Sequence, residues 1–316
     1  MNRRRSRFQP RFLIVFLVGL FFLFGIGQIA AFAQGLGDIP LDPDTYQKYL
    51  KPTPKEMLEA LPAAYDARAA GIVTPAKNQG GCGSCWAFAS VGAMDSHLLK
   101  KWSYRPTDLS EQQLLSCNPF GYTCDGGSSD AITFWDAAHD NGSINETCFP
   151  YTGSHATPCF YSCDEIVTRV TGWHTVTATT ADFKASCYNE GPSYWRFDVY
   201  SDFSDGMGGG WWASAAPGAV YRNTSGHLQG GHAVLLIGWD DAKGAFLCKN
   251  SWGETEGPNQ DGTFWIAYTG HRNNLWFGMS NFDLVNQPSG VPVPDQGGDF
   301  YLIPNKKGGA VVIYLQ

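Results

Sequence analysis

Basic residues are scarce in this chain once its first eleven positions are set aside. Lysine and arginine together number 22, against 29 aspartates and glutamates. Five of the arginines (Arg3, Arg4, Arg5, Arg7, Arg11) stand before residue 12, and no acidic residue precedes Asp38. The rest of the chain therefore carries 17 basic and 29 acidic residues, a balance that excludes a binder of nucleic-acid phosphates. Charge of either sign is thin, at 16% of residues, while 43% are hydrophobic, which excludes a disordered tail protein. No internal repeat is visible. A second Cys-x-x-Cys is also missing, so the one formed by Cys82-Gly83-Ser84-Cys85 lacks the partner pair that a zinc site needs. No metal or organic cofactor is called for. Nine cysteines make an odd set, and at least one stands outside any intrachain disulfide.

One long apolar run is present, the 16 residues Phe12–Gly27 behind the arginine cluster. Ala31-Phe32-Ala33 follows with small residues at both recognition positions. Residues 1–33 thus read as a secretory signal cleaved before Gln34, with an anchor over residues 12–33 as the alternative. On this reading the body is secreted, periplasmic or otherwise extracytoplasmic, where disulfides persist. Membrane contact is transient and made only through the signal. Residues 34–61 are Pro-rich and polar, with one short helical candidate at Pro54–Leu61. Residues 62–287 form the aromatic-, Gly- and Cys-rich body. Residues 288–316 comprise a Pro-rich linker and a tail with a hairpin signal around Asn305–Gly309. Oligomeric state is not readable.

Within the body, helical spacing runs from Cys85 to Lys101, with Lys100 and Lys101 at the end favoured by the dipole. A second helix opens at Ser110 as N-cap, and Asp130–Asp140 is a third candidate. After Thr171 the pattern turns to strands, notably Ala233–Trp239, Ala245–Lys249 and Thr263–Tyr268. A mainly helical half followed by a mainly β half makes an α+β arrangement with a cleft between lobes.

Cys85 at a helix start is placed to be a nucleophile, because the helix dipole and free N–H groups favour thiolate. A thioredoxin-like reading fails because a loop, Ala76–Gly81, precedes the motif and no βαβ unit surrounds it. The segment Gln79-Gly80-Gly81-Cys82-Gly83-Ser84-Cys85-Trp86-Ala87-Phe88 resembles the active-site segment of papain-like cysteine peptidases. Gly231-His232-Ala233-Val234 and Lys249-Asn250-Ser251-Trp252-Gly253 match that family's His and Asn motifs. They follow Cys85 by 147 and 165 residues, the excess being placed in the Gly206–Pro217 insertion. Asp198–Phe203 and Gly230-Gly231-His232 resemble cathepsin B in particular. The paired histidines of that enzyme's occluding loop are absent, so its carboxy-dipeptidase activity is not carried over.

The resemblance implies a papain-like fold, with a helical lobe and an antiparallel β-barrel-like lobe meeting at the active-site cleft. It implies Cys85 as nucleophile, His232 as base and then acid, and Asn250 orienting the imidazole. Gln79 and the Cys85 N–H would form the oxyanion hole. Substrate-binding positions are Gly126, Gly127, Gly231 and Trp252, the last screening the Asn–His bond from water. Cys82 would pair with Cys124, Cys117 with Cys159 or Cys163, and Cys148 with the other. Cys187 and Cys248 have no family partner. Two departures touch the pocket that sets peptide specificity. Ser128-Ser129 replaces a common aromatic and Pro, and Ser193-Tyr194-Trp195-Arg196 replaces a small apolar run. The expected activity is that of a thiol endopeptidase acting on polypeptides through a thioester. The alternatives are a non-catalytic peptide-binding or surface protein on the same scaffold, or a transpeptidase. Residues 34–61 are too short for a globular inhibitory domain. They read either as a weak inhibitor in cis, reaching the cleft as an extended arm and cut near Leu61, or as a spacer.

Overall fold

The structure, a computed structural model, describes residues 35–104, 107–136, 142–160, 163, 166–206 and 209–285, and the backbone of 300–304 and 310–314. Residues 1–33, read as a signal, and the Pro-rich linker lie outside these residues. The central helix, α3, spans Cys85–Trp102. It is buried continuously from Cys85 to Leu99, so it runs through the lobe rather than along its surface. Its end is marked by Ser103 in the left-handed region (φ 50°), with Lys100 and Lys101 in the last turn. Helix α4 (Glu111–Cys117) is capped by Ser110, whose Oγ accepts from Gln113 N at 3.0 Å. The third helical candidate is a 3₁₀ segment, Ser129–Trp135, capped by Asp136, while residues 137–140 of that candidate lie outside the described set.

Nine strands form one open sheet. Its order is β1 (Leu50–Lys51), β3 (Val170–Val176), β9 (Gly278–Val285), β4 (Ser193–Tyr200), β6 (Leu228–Asp240), β7 (Ala245–Lys249), β8 (Thr263–Ala267) and β5 (Val220–Tyr221). Strand β2 (Ala64–Asp66) pairs with β6 off that path. The barrel-like closure expected from the sequence is therefore corrected to an open sheet, because β1 and β5 are two-residue edge strands that pair on one side only. Both end pairings are parallel and the rest are antiparallel. β6 is buried without a break from His232 to Trp239, as a central strand covered on both faces must be. Two cores result. One packs α3, α4 and the 3₁₀ segment against one sheet face, and the other gathers Trp195, Phe197, Phe203, Trp239, Phe246 and Phe264 on the opposite face.

Residues ahead of the body are built into it. Helix α1 (Pro43–Lys48) starts at Asp42, whose carboxylate accepts from Thr45 N at 2.9 Å. Tyr46 donates to Val176 O at 2.5 Å, and Tyr49 stacks on Trp173 at 4.4 Å. Helix α2 (Lys55–Glu59) falls within the Pro54–Leu61 candidate. Helix α5 (Thr180–Asn189) was not expected. In the tail, β10 (Phe300–Pro304) and β11 (Ala310–Tyr314) pair antiparallel, and the turn between them lies outside the described residues.

Candidate active site

Cys85 opens α3 at the positive end of the helix dipole, where Ala87 N and Phe88 N both donate to Ser84 O at 2.8 and 3.2 Å. Strand β6 carries His232, and the next residue, Ala233, donates its N–H to Cys85 Sγ at 3.5 Å. The turn after β7 supplies Asn250. The His232 Nε2–H donates to Asn250 Oδ1 at 2.8 Å. With Nε2 donating, the lone pair of the neutral imidazole is on Nδ1, which is buried and has no hydrogen-bond partner among the described residues, Cys85 Sγ included. Trp252 is buried and stacks on the His232 ring at 4.6 Å, closing one face of the His–Asn bond to water.

Gln79 is fixed at both ends of its amide. Its Oε1 accepts from Ser251 Oγ at 2.6 Å, and its Nε2 donates to Cys82 O at 2.7 Å and Gly35 O at 2.9 Å. Ser251 was not singled out by sequence, although it lies inside the Asn motif. The loop carrying Gln79 is joined to the loop after β7 by Gln79 N to Ser251 O (2.8 Å) and Gly253 N to Lys77 O (3.0 Å). Disulfides link Cys82 to Cys124, Cys117 to Cys159 and Cys148 to Cys163. The first ties the nucleophile loop to the Gly126-Gly127 wall. Cys85, Cys187 and Cys248 are reduced and buried.

The groove between the lobes is filled by the chain itself. Asp38 forms a parallel bridge to Gly127 and an antiparallel one to Gly231. Gly127 N donates to Gly37 O (2.9 Å), Ile39 N to Gly127 O (2.8 Å) and Asp38 N to Gly231 O (3.1 Å). Gly126, at φ +144°, turns this wall, and a Cβ there would press on Ile39 and Gly37 O at 3.0 Å. Glycine is needed at Gly37 for space: a Cβ would stand 1.8 Å from Gly83 O. The Gly35 carbonyl oxygen lies on the Gln79 amide.

This extended segment lies beside the nucleophile and contributes to its electrostatics through Asp38. Burial, joined by the nearby Asp38 carboxylate, pushes the Cys85 thiol up to about 12. Burial lowers His232 to about 4, with Asn250 pulling the other way. Both shifts favour the uncharged forms, thiol and imidazole. Among the described residues no group of three His, Cys, Asp or Glu could hold a metal ion, and no helix is long and apolar enough to cross a membrane.

The sequence profile described as papain family cysteine protease matches residues 61–278, and the chain belongs to that family. It is 32% identical to cathepsin K of Mus musculus over 62% of this chain and 57% of that protein. It is also 32% identical to cathepsin B-like CP2 of Giardia intestinalis, over 59% of this chain and 62% of the other. The chain thus spans about three-fifths of the length of such relatives. Among solved structures, procathepsin B S9 from Trypanosoma congolense superposes with a TM-score of 0.65 at 22% identity, covering 81% of this chain and 87% of the other. The digestive procathepsin L2 proteinase of Tenebrio molitor gives 0.61 at 30% identity, covering 80% and 79%. The three disulfides fit an oxidising compartment.

Proposed function

We propose that the protein is an exported cysteine endopeptidase kept latent by its own residues 35–41. The Cys85 thiol gives its proton to His232 Nδ1 as sulfur attacks the scissile carbonyl carbon. The oxyanion receives hydrogen bonds from Gln79 Nε2 and the Cys85 N–H. The imidazolium returns the proton to the leaving amine as the C–N bond breaks, leaving a thioester. Water, deprotonated by the same nitrogen, releases the acid and restores the thiol. Asn250 acts by holding the tautomer that leaves Nδ1 open. The observation that carries this reading is the buried, unpartnered Nδ1 opposite a Nε2–H already committed to Asn250.

Latency rests on the strand in the groove. Gly35–Ile39 occupies the main-chain donors and acceptors of Gly127 and Gly231 and sets a carbonyl on Gln79. The Gly37→Ala chain tests both parts. Its new Cβ collides with Gly83 backbone, so the arm lifts. The variant is expected to label at Cys85 with an epoxysuccinyl thiol inhibitor and to hydrolyse a peptide amide, while the unaltered chain does neither. Adding Cys85→Ala removes both signals. Equal labelling of the Gly37→Ala and unaltered chains would remove the latency reading, and turnover surviving Cys85→Ala would remove the nucleophile.

A further inference from the structure

The Asp38 side chain fills a pocket lined in part by Tyr194 and Arg196 of β4. Strand alternation sends Tyr194, Arg196 and Asp198 of β4 to one face, while Trp195, Phe197 and Val199 enter the aromatic core on the other. Arg196 Nε donates to Asp38 Oδ2 at 2.5 Å, and the Tyr194 hydroxyl donates to Asp38 Oδ1. Both side chains are nearly solvent-free, Arg196 at 6% and Asp38 at 1% exposed. The guanidinium is held in place on its other sides. Its Nη1 donates to Trp276 O at 2.9 Å, its Nη2 donates to Asp198 Oδ1 at 3.0 Å, and the Trp276 ring lies 4.7 Å from its centre. The remaining wall includes Ser129 and Ser280, whose hydroxyls meet at 2.8 Å.

Asp198 partly offsets the Arg196 charge but takes only Nη2. When the arm leaves, Nε and the Tyr194 hydroxyl face an emptied pocket. An apolar side chain entering there buries two donors without acceptors. A carboxylate satisfies both, one with charge assistance. We infer that the released enzyme selects peptides with an aspartate or glutamate at the position seated between Gly127 and Gly231, with Arg196 and Tyr194 as the specificity-determining residues. Asp38 then occupies the groove as a substrate-like side chain on a chain that stays uncut. The inference rests on the peptidase reading and adds the substrate class.

The test uses the full chain after limited proteolysis within residues 42–61, assayed on a fluorogenic tetrapeptide library varied one position at a time. Acidic residues are expected to exceed leucine in kcat/KM by about 10- to 100-fold at one position, the range that one or two hydrogen bonds to a charged group supply. Arg196→Gln should bring that acid-to-leucine ratio to about one or below, Arg196→Lys should restore part of it, and Tyr194→Phe should lower it several-fold. Preference for leucine, or none, in the unaltered enzyme overturns the inference and leaves the peptidase reading standing. No turnover of any peptide, together with a Cys85 inert to the thiol inhibitor, overturns both.

Discussion

Ser251 fixes the direction of the Gln79 amide, and that direction decides where an oxyanion would be met. Gln79→Ala is expected to lower kcat of the released enzyme by about 100- to 1,000-fold with little change in KM, since such a donor acts in the transition state. Ser251→Ala should reproduce the kcat loss in part, by letting the amide rotate. A change confined to KM in either variant contradicts the role. A second residue-scale outcome concerns pH. His97 is buried, its Nε2–H donates to Asn281 Oδ1 at 2.8 Å, and burial holds it down at about 4. A histidine depressed on folding gives stability that is complete above its unfolded value near 6.5 and is lost as pH falls towards 4. The expected loss is roughly 3 kcal/mol, and His97→Gln should flatten that part of the curve of unfolding free energy against pH. An unchanged slope in His97→Gln would assign the acid lability elsewhere.

At the scale of elements, the Cys82–Cys124 bond clamps the start of α3 to the glycine wall. Cys82→Ser should lower stability by about 2–5 kcal/mol, whereas Cys85→Ala leaves the melting temperature near that of the unaltered chain. Equal melting curves for Cys82→Ser and the parent would deny the clamp. Helix α3, the Ser110 cap and strands β6, β7 and β8 were legible because their periodicity, caps and motifs are local. Elements α1 and α5 were not read, although Asp42-Pro43 and Thr179 with Asp182 carry start signals, because each helix is short and its periodicity weak. Ser193–Arg196 stood out as a departure, yet its meaning depends on Asp38, 158 residues away from Arg196, and no sequence pattern pairs them. Gly35 and Gly37 went unread for the same reason. Their need for glycine comes from backbone at Cys82 and Gly83, not from any local turn.

Across the whole molecule, the segments beside the site are tied by an ionic cluster of which Glu111 is buried, Lys77 half-buried and Asp108 exposed. Lys77 Nζ lies 2.7 Å from both Glu111 and Asp108 and also donates to Leu109 O at 3.1 Å. Lys249, from β7, donates to Thr74 O and Oγ1, both at 3.1 Å. Burial opposes the Lys77 charge, but Glu111 and its neighbours prevail and hold the ammonium above the ordinary lysine range. Lys77→Met leaves the buried Glu111 carboxyl, which burial already pushes up to about 8, without its cation, so the group protonates and the expected cost is about 1–3 kcal/mol. Adding Glu111→Gln should recover part of that loss in thermal unfolding. Strict additivity of the two changes would show that the ions do not act as a pair.

The strand over Cys85 also bears on redox survival. Peroxide consumes the thiolate rather than the thiol, and it needs a path to sulfur. With Gly35–Ile39 in place, Cys85 is fully buried and its thiol is pushed up to about 12. On the proposed reading, the segment that keeps the enzyme latent also shields the Cys85 sulfur from oxidants. Under a matched dose of peroxide, intact-mass analysis should find the full chain unoxidised at Cys85. The Gly37→Ala chain should gain one and then two oxygen atoms there, while Cys187 and Cys248, buried in both, serve as internal controls.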